Sequence, residues 1–296
     1  MTKAQGPVYR FAPTPNGRLH LGHAYSALLN AHAARRSGGS LLLRLEDLDG
    51  SRCKPEYEAA VFDDLAWLGV SFEPSVRRQS AHAADYARAY GELQALGVLY
   101  PCFCAKNEAE KASHAAGLGR DPDGAPLYSG ACRHRPAPGS SDRPPTLRLD
   151  MARAIALGPR QLFWREFGEG DDERQQLADP SVWGDVALKR RGAPATYHLA
   201  VVVDDALQGV SDVMRGRDLF AATSLHRLLQ SLLGLPGPRY RHHRLVLDAA
   251  GEKMSKSASS SPLFRLREKG VSAADIRAVL GFDSAADRPD LVARFS

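Results

Sequence analysis

Hydrophobic residues follow two different periods along the chain, which predicts short buried strands alternating with amphipathic helices. Apolar residues recur every three to four positions in the helical stretches, whereas the strands are short apolar runs bounded by Gly, Pro or Asp. The pattern predicts helices that begin near residue 21 and that span 55–69, 80–97, 221–233 and 272–281. It predicts strands over 8–11, 41–45, 197–203 and 244–247. This alternation indicates an α/β fold with a parallel sheet.

The region from residue 100 to residue 191 has a different pattern. A polar helical piece is followed by a Gly/Pro/Asp stretch over 117–126 and by a Pro-rich loop over 136–145. Short apolar segments then alternate with Gly and charged turns up to residue 191, which is typical of a small β-rich piece. We therefore predict an insertion over 100–191, with 1–99 and 192–296 as the two halves of the main α/β domain.

The stretch RFAPTPNGRLHLGH at 10–23 is predicted to contain a strand end, a tight loop and a helix start. His20 and His23 are three residues apart, so their imidazoles lie on one face of the first helical turn, beside unsatisfied backbone N–H groups. This arrangement suits a polyphosphate. Gly22 lets a flat ligand such as a purine approach the backbone. The alternative is an ordinary helix start with two solvated histidines.

A second candidate phosphate-binding stretch is KMSKS at 253–257. Lys253 and Lys256 present compact charges on flexible stems, which suits phosphate oxygens that move during an in-line displacement. The small residues over 258–261 are expected to keep this loop mobile. A solvated basic loop is the alternative interpretation.

Charged side chains follow the predicted strands. In an open α/β sheet, ligands bind at the carboxyl ends of the strands, so Glu46 can receive a substrate ammonium group there. Asp49 or Ser51 is a candidate cap for the next helix. Arg10 and Arg215 are candidates for holding a side-chain carboxylate, because a guanidinium group binds carboxylates with two parallel donors. One of these arginines could instead be a structural ion-pair partner.

Three cysteines lie within about thirty residues of the insertion: Cys102, Cys104 and Cys132. Soft thiolates at this spacing favour zinc. The residues alone do not identify the fourth ligand, which could be water, His134 or Tyr128. On chemical grounds alone a phenolate is a less common metal ligand than a histidine. Three unligated thiols in a small subdomain are the alternative.

Composition limits the class of protein without naming a partner. The formal net charge is +5 and the pI is about 9.1, which permits a nucleic-acid partner without requiring one. A mean hydropathy of −0.32 and the lack of a long apolar run predict a cytoplasmic protein without a membrane segment. The basic run at 189–191 could contact an RNA backbone, although three adjacent charges are more often a solvated turn.

The paired HLGH and KMSKS sequences resemble the signatures of class I aminoacyl-tRNA synthetases. Further stretches are similar to the glutamyl branch of that family, and together they cover nearly the whole chain: LRLEDLDGSR at 43–52, YHLAVVVDD at 197–205 and VMRGRDL at 213–219. The resemblance implies a Rossmann-like parallel sheet with an inserted zinc-containing connective subdomain. Leu21 lies at the position where the family's most common form of this motif has isoleucine, and this change conserves side-chain volume.

The resemblance also implies roles for individual residues. It implies adenylation chemistry at His20, His23, Lys253 and Lys256, and ATP binding by His20, Gly22, His23 and Lys256. It implies a glutamate pocket that contains Arg10, Phe11, Ala12, Pro13, Thr14, Glu46, Tyr197 and Arg215. CxC followed by YxxxC is similar to the zinc site of the short glutamyl-synthetase paralogues, which implies the ligands Cys102, Cys104, Tyr128 and Cys132.

Only about forty residues follow KMSKS, where anticodon-reading glutamyl-tRNA synthetases carry a further helical domain. The resemblance therefore implies a short paralogue that acts as a monomer with ATP and Mg²⁺. Such paralogues activate L-glutamate without tRNA and transfer it to queuosine in the anticodon loop of tRNA-Asp. The alternatives are a truncated glutamyl-tRNA synthetase acting on tRNA-Glu, a non-catalytic zinc-stabilised RNA-binding protein, and a cytidylyltransferase or pantothenate-type ligase that shares only HxGH.

Overall fold

A computed structural model describes residues 6–135, 144–168, 172–246 and 261–282 of the chain. The described helices are α1 (Leu21–Ser37), α2 (Pro55–Leu68), α3 (Ala83–Ala95), α4 (Lys106–Ala115), α5 (Met151–Leu157), α6 (Tyr197–Leu207), α7 (Ala222–Leu232), α8 (Leu263–Glu268) and α9 (Ala273–Val279). The described strands are β1 (Val8–Phe11), β2 (Ser40–Leu45), β3 (Arg77–Arg78), β4 (Leu99–Cys102), β5 (Thr146–Leu149), β6 (Phe163–Phe167), β7 (Glu173–Leu177), β8 (Ala187–Lys189), β9 (Asp212–Gly216) and β10 (Arg239–His243).

The chain divides into two compact units. The first unit comprises Met1–Gln79, Val210–Asp218 and Tyr240–Ser296, and the second comprises Ser80–Gly209 and Leu219–Arg239. The domain boundaries predicted from the sequence, at residues 99/100 and 191/192, remain a prediction.

The first unit contains the predicted parallel sheet. Strand β1 pairs in parallel with β2 from Val8↔Ser40 to Phe11↔Leu43, and β2 pairs in parallel with β3. Helix α1 connects the two paired strands and buries its apolar residues, and it ends at Gly38, whose φ of 62° is accessible at low cost only to glycine. The carboxyl ends of β1 and β2 therefore meet at one edge of the sheet.

The second unit is built around an antiparallel sheet in the order β4-β5-β8 and a β6–β7 hairpin. Helices α3, α6 and α7 belong to the same unit, and Tyr86 on α3 donates its hydroxyl to the buried carboxylate of Asp204 on α6 at 3.0 Å. The β-rich connecting piece expected over 146–191 is present, with α5 as an added helix.

The strand predicted over 197–203 is wrong, because these residues form the first two turns of α6. The helix is buried on nearly all sides, from His198 to Asp205, so its sequence shows no polar face. A continuous apolar run of this length fits a buried strand and a buried helix equally well. Tyr197 consequently lies at a helix start and does not lie on a strand.

One further prediction of local structure is wrong, and the helix cap considered as an alternative role for the residues after β2 is not formed. The strand before KMSKS ends at His243, so the expected strand over 244–247 is absent at 244–246, while residue 247 lies outside the described part. Helix α2 begins after Lys54 with Pro55 at its first position, so neither Asp49 nor Ser51 caps it. Asp49 instead accepts hydrogen bonds from Ser51 and Arg52 in the preceding loop.

Candidate active site and thiol cluster

The HLGH sequence forms the start of α1, and its two histidines cap that helix. His20 is the N-cap residue, and its Nδ1 accepts a hydrogen bond from the Gly22 amide at 3.1 Å. Nδ1 of His23 accepts one from the His20 amide at 3.2 Å. The two rings are tilted, with their centroids 3.9 Å apart. The two histidine side chains therefore accept hydrogen bonds from backbone amides at the helix start, which the sequence analysis expected to be unsatisfied.

These hydrogen bonds fix the chemical character of both imidazoles. A ring nitrogen that accepts a hydrogen bond carries no proton, so the proton of each neutral ring lies on Nε2. Each Nε2 is then a donor suited to a phosphate oxygen at the positive end of α1. The pair thus offers two N–H donors at the start of α1.

Gly22 packs closely against the ring of His20. A β-carbon at residue 22 would lie 3.0 Å from Cε1 and 3.2 Å from Nδ1 of His20. Both distances are tighter than ordinary van der Waals contact, so a side chain there would require the imidazole to shift by a few tenths of an ångström. This packing reason for glycine is separate from the expected close approach of a purine, which stays a prediction.

Glu46 follows β2 at the sheet edge predicted to bind ligands. Its amide donates to the carbonyl oxygen of Pro13 at 3.1 Å, which ties the end of β2 to the loop after β1. Nη2 of Arg44 lies 3.5 Å from Oε1 of Glu46, and Arg44 is fully buried. Arg44 was missed by sequence reasoning, because an arginine inside an apolar strand gives no signal of the acid it faces.

The other residues of the predicted glutamate pocket are distributed over both units. Arg10 and Arg215 are 4% and 5% exposed, and Nε of Arg215 donates to Nε2 of His242 at 3.3 Å. The beginnings of β1 and β9 are joined, since the Ser211 amide donates to the Val8 carbonyl at 3.1 Å. Four further residues predicted for the pocket lie in the first unit, at the end of β1 and in the loop after it: Phe11, Ala12, Pro13 and Thr14. Tyr197 belongs to the second unit, and Lys253 and Lys256 lie outside the described residues.

The three cysteines of the insertion form a cluster with Tyr128 in the second unit. Their Sγ atoms all lie within 4.8 Å of one another. Cys102 Sγ donates to Tyr128 Oη at 3.3 Å, Cys104 Sγ lies 3.6 Å from that oxygen, and the Cys132 amide donates to it at 3.1 Å. His134 is exposed and forms no hydrogen bond to a thiol among the residues described. Of the protein ligands considered, the structure thus brings Tyr128 to the thiols.

Protonation differs strongly within this cluster. Burial raises the pKa of the Cys104 thiol to about 11. Burial also raises the pKa of Cys132, but hydrogen bonds from Tyr128 and the Phe103 backbone outweigh it and bring the pKa to about 7. Burial and hydrogen bonds to the thiols raise the pKa of Tyr128. A cation bound here would have to displace protons from its ligands.

The geometry fits a zinc ion. Tetrahedral Zn–S bonds of about 2.3 Å place ligand atoms about 3.8 Å apart. The thiol and phenol separations of 3.3 to 4.8 Å bracket that value. Three sulfur donors also match the preference of zinc for soft ligands.

A buried acid, Asp185, binds the residue that follows Cys132 of this cluster. Its Oδ2 accepts two hydrogen bonds from Arg133, at 3.0 and 2.6 Å, and one from the Tyr100 hydroxyl at 2.5 Å. Arg133 directly follows Cys132, so the pair fixes the segment that carries the third thiol. Sequence reasoning missed Asp185, because nothing near residue 185 marks a partner fifty residues earlier.

Comparison with known proteins places most of the chain in one family. Residues 8–272 match the family model for the catalytic domain of class I tRNA synthetases (E and Q). The chain is 43% identical to the glutamyl-Q tRNA(Asp) synthetase of Rhodobacter capsulatus over 93% of this chain and 99% of that protein. It is 37% identical to glutamate–tRNA ligase 2 of Acidithiobacillus ferrooxidans over 90% of this chain and 56% of that protein.

Solved structures give the same fold. The chain superposes on the crystal structure of glutamate-tRNA synthetase from Elizabethkingia anophelis with a TM-score of 0.73 and 23% identity, over 93% of this chain. It spans about 61% of the length of that structure. In the part of the chain that is described, no helix is long and apolar enough to cross a membrane.

Proposed function

We propose that this chain, which belongs to the E and Q branch of the class I tRNA synthetases, activates L-glutamate with ATP and without tRNA. It is a ligase of the aminoacyl-tRNA synthetase type. In the proposed second step it transfers glutamate to the queuosine base in the anticodon loop of tRNA-Asp. The observation that carries the activation step is the helix start that holds His20 and His23 as paired donors. The queuosine acceptor is supported by the name of the Rhodobacter capsulatus relative.

In the first step the α-carboxylate of glutamate attacks the α-phosphorus of ATP, and pyrophosphate leaves with the electron pair of the broken P–O bond. Mg²⁺ bound to ATP would neutralise part of the charge of the leaving pyrophosphate. The Nε2 donors of His20 and His23 stabilise negative charge on the phosphate oxygens. Lys253 and Lys256 are proposed to follow the β- and γ-phosphates, on the strength of the KMSKS sequence alone.

The substrate pocket is proposed to recognise both ends of glutamate. Glu46 receives the substrate ammonium group at the edge of the β1–β2 sheet, where its backbone is fixed to Pro13. Arg10 and Arg215 hold the side-chain carboxylate, because a buried guanidinium group binds a carboxylate through two donors. Phe11, Ala12, Pro13, Thr14 and Tyr197 are proposed to complete the pocket.

The thiol cluster is proposed to hold Zn²⁺ through Cys102, Cys104, Cys132 and Tyr128. A four-ligand zinc site is closed to substrate, so its contribution is the stability of the second unit. It would tie the end of β4 to the segment around residues 128–132.

The alternative function, charging of tRNA-Glu, is favoured by the 37% identity to glutamate–tRNA ligase 2. The ligase assignment removes the non-catalytic alternative.

The test is glutamate-dependent exchange of pyrophosphate into ATP with no RNA present. The wild-type chain is expected to catalyse this exchange, because no acceptor takes part in the adenylation step. Arg215→Lys keeps the charge but loses the two-pronged donor, so the KM for glutamate should rise about tenfold or more. Arg174→Lys, at an exposed position on β7, is the matched control.

The acceptor is identified in a second assay with labelled glutamate. The label should be transferred to tRNA-Asp from cells that make queuosine and not to the same tRNA from cells that lack it. Labelling of tRNA-Glu would establish the alternative function. Exchange that requires added tRNA would disprove tRNA-independent activation.

A further inference from the structure

The second unit contains a cavity of about 590 Å³ beside the thiol cluster. Cys102, Cys104 and Tyr128 form part of its wall, and Trp183 and the basic residues Arg148 and Arg191 form another part. Its volume lies in the range of cavities that bind small molecules. Among the described residues, none of those proposed for the adenylation reaction lines it, so that reaction leaves the cavity unexplained.

Two partly buried arginines face this cavity without a carboxylate partner. Nη1 of Arg148 donates to the backbone oxygen of Asp185 at 2.8 Å, and its guanidinium group lies 3.7 Å from the centre of the Tyr128 ring. Nη2 of Arg191 donates to the backbone oxygens of Phe103 and Cys104 at 2.8 and 3.3 Å. Within the described residues neither arginine forms an ion pair, and Nε of each is buried without a hydrogen bond.

The acidic residues of the cavity wall do not neutralise these arginines. Asp185 is paired with Arg133, as described above. Glu110 lies 3.9 Å from the ammonium group of Lys106, and Asp121 accepts the Ala125 amide at 2.8 Å in its own turn. Arg190 adds a further, exposed positive charge to the wall. Among the carboxylate, lysine and arginine side chains of the wall, positive charges are therefore in excess next to partly buried guanidinium donors.

We propose that this cavity is a phosphate-binding site in which Arg148, Arg190 and Arg191 hold the anion. A partly buried cation without a counter-ion loses hydration that a bound anion restores. Guanidinium groups match the geometry of phosphate oxygens, which suits the arginines of this wall to a phosphate. The phosphate is either that of a free nucleotide or that of an RNA backbone. The proposal does not depend on the proposed function.

The first experiment measures binding of inorganic phosphate to the full-length chain by isothermal titration calorimetry, with its zinc content measured in parallel. Arg191→Met is expected to weaken phosphate binding about tenfold or more, since a charge-assisted hydrogen bond is lost. Arg190→Met should weaken it about threefold, because an exposed cation contributes less. Arg174→Met is the control and should leave it unchanged.

The second experiment distinguishes the source of the phosphate. Binding of a tRNA transcript is measured at several salt concentrations for the same four proteins. If the cavity holds an RNA phosphate, each lost contact lowers the slope of log K against log salt by roughly 0.7 to 0.9. If the ligand is a small nucleotide, inorganic phosphate binding falls in the variants while the RNA slope stays constant.

The proposal is overturned if phosphate does not bind, or if Arg190→Met and Arg191→Met leave both measurements at wild-type values. A further contrary outcome is loss of zinc without any change in phosphate binding, which would mean that the arginines only balance the charge of the metal cluster. Arg190 is exposed, so its variant is expected to fold. The Arg190 result therefore decides the question even if Arg191→Met is unstable.

Discussion

The helix start at residues 20–23 and the thiol cluster both assemble ligand-binding side chains, but they do so in opposite ways. His20 and His23 are positioned by hydrogen bonds within four residues of chain. The thiols come from residues about thirty positions apart, and side-chain contacts to Tyr128 bring them together. The first arrangement forms whenever α1 forms. The second must close a long loop, whose entropy cost a bound metal ion can offset.

The strongest test of this contrast separates the two functions of His20. His20→Ala removes both the Nε2 donor and the helix cap, so the exchange rate should fall about 10²- to 10³-fold. Unfolding free energy should fall by about 1 kcal/mol because the cap is lost. His20→Asn keeps a good N-cap side chain but lacks the imidazole. Exchange kinetics and thermal unfolding of both variants measure the two effects separately.

The expected result is a rate loss in both variants and a stability loss in the alanine variant alone. Equal stability losses would show that the His20 cap matters less than the packing of its ring against Gly22. A normal exchange rate in His20→Asn would remove the imidazole from the mechanism.

The thiol cluster should respond in stability more than in adenylation. Cys132→Ser removes one of three sulfur donors, so bound zinc should fall from about one equivalent per chain towards zero. The midpoint of thermal unfolding should then fall by roughly 5 to 10 °C, since several kcal/mol of binding free energy no longer support the fold. Metal analysis and calorimetry measure both changes. The exchange rate should change less than tenfold.

Cys53→Ser is the matched control, because Cys53 lies in the first unit and is not a member of the cluster. It should keep its zinc and its unfolding midpoint. If both serine variants behave alike, the cluster has no special role in stability.

The same contrast explains which features the sequence could predict. The strand, loop and helix around residues 8–37 were predicted correctly because their signals are local: an apolar run, prolines and a helical period. The zinc-ligand set rests on the family resemblance and stays a prediction, although the structure does bring Tyr128 to the three thiols. Asp185 was missed because its partner Arg133 is set by tertiary packing. Arg44 was missed because an arginine inside an apolar strand gives no signal of its pairing with Glu46 two residues later. The buried helix α6 was mistaken for a strand because it has no polar face.

The smallest expected effect concerns Asp64 on α2, which belongs to the first unit and lies far in sequence from any proposed ligand. Asp64 is 4% exposed, and its Oδ2 has no hydrogen bond. Burial raises its pKa from 3.8 to about 6, and the neighbouring charge of Asp63 adds to this, while Arg18 and Arg267 oppose it. The folded chain thus holds this proton more tightly than the unfolded chain.

The sign of the pH dependence follows from that difference. Below pH 4 the carboxyl is protonated in both states, so Asp64 imposes no ionisation penalty. As the pH rises from about 4 to 6 the unfolded chain ionises first, so stability falls, and it stays reduced above pH 6. Asp64→Asn should therefore raise the unfolding free energy at pH 7.5 by about 1 to 2 kcal/mol after allowance for solvent screening, with little change at pH 4.

Asp63→Asn is the control, because Asp63 is exposed and adjacent in sequence. Denaturant unfolding at pH 4 and 7.5 measures the effect, and zinc content should be unchanged in both variants because the second unit is not altered. A stabilisation by Asp64→Asn that is equal at both pH values would mean that side-chain packing, and not the ionisation of Asp64, limits the stability of the first unit. A simultaneous change in zinc affinity would show that the two regions are energetically coupled. The locally assembled helix start and the thiol cluster assembled from distant residues would then not be independent parts of the molecule.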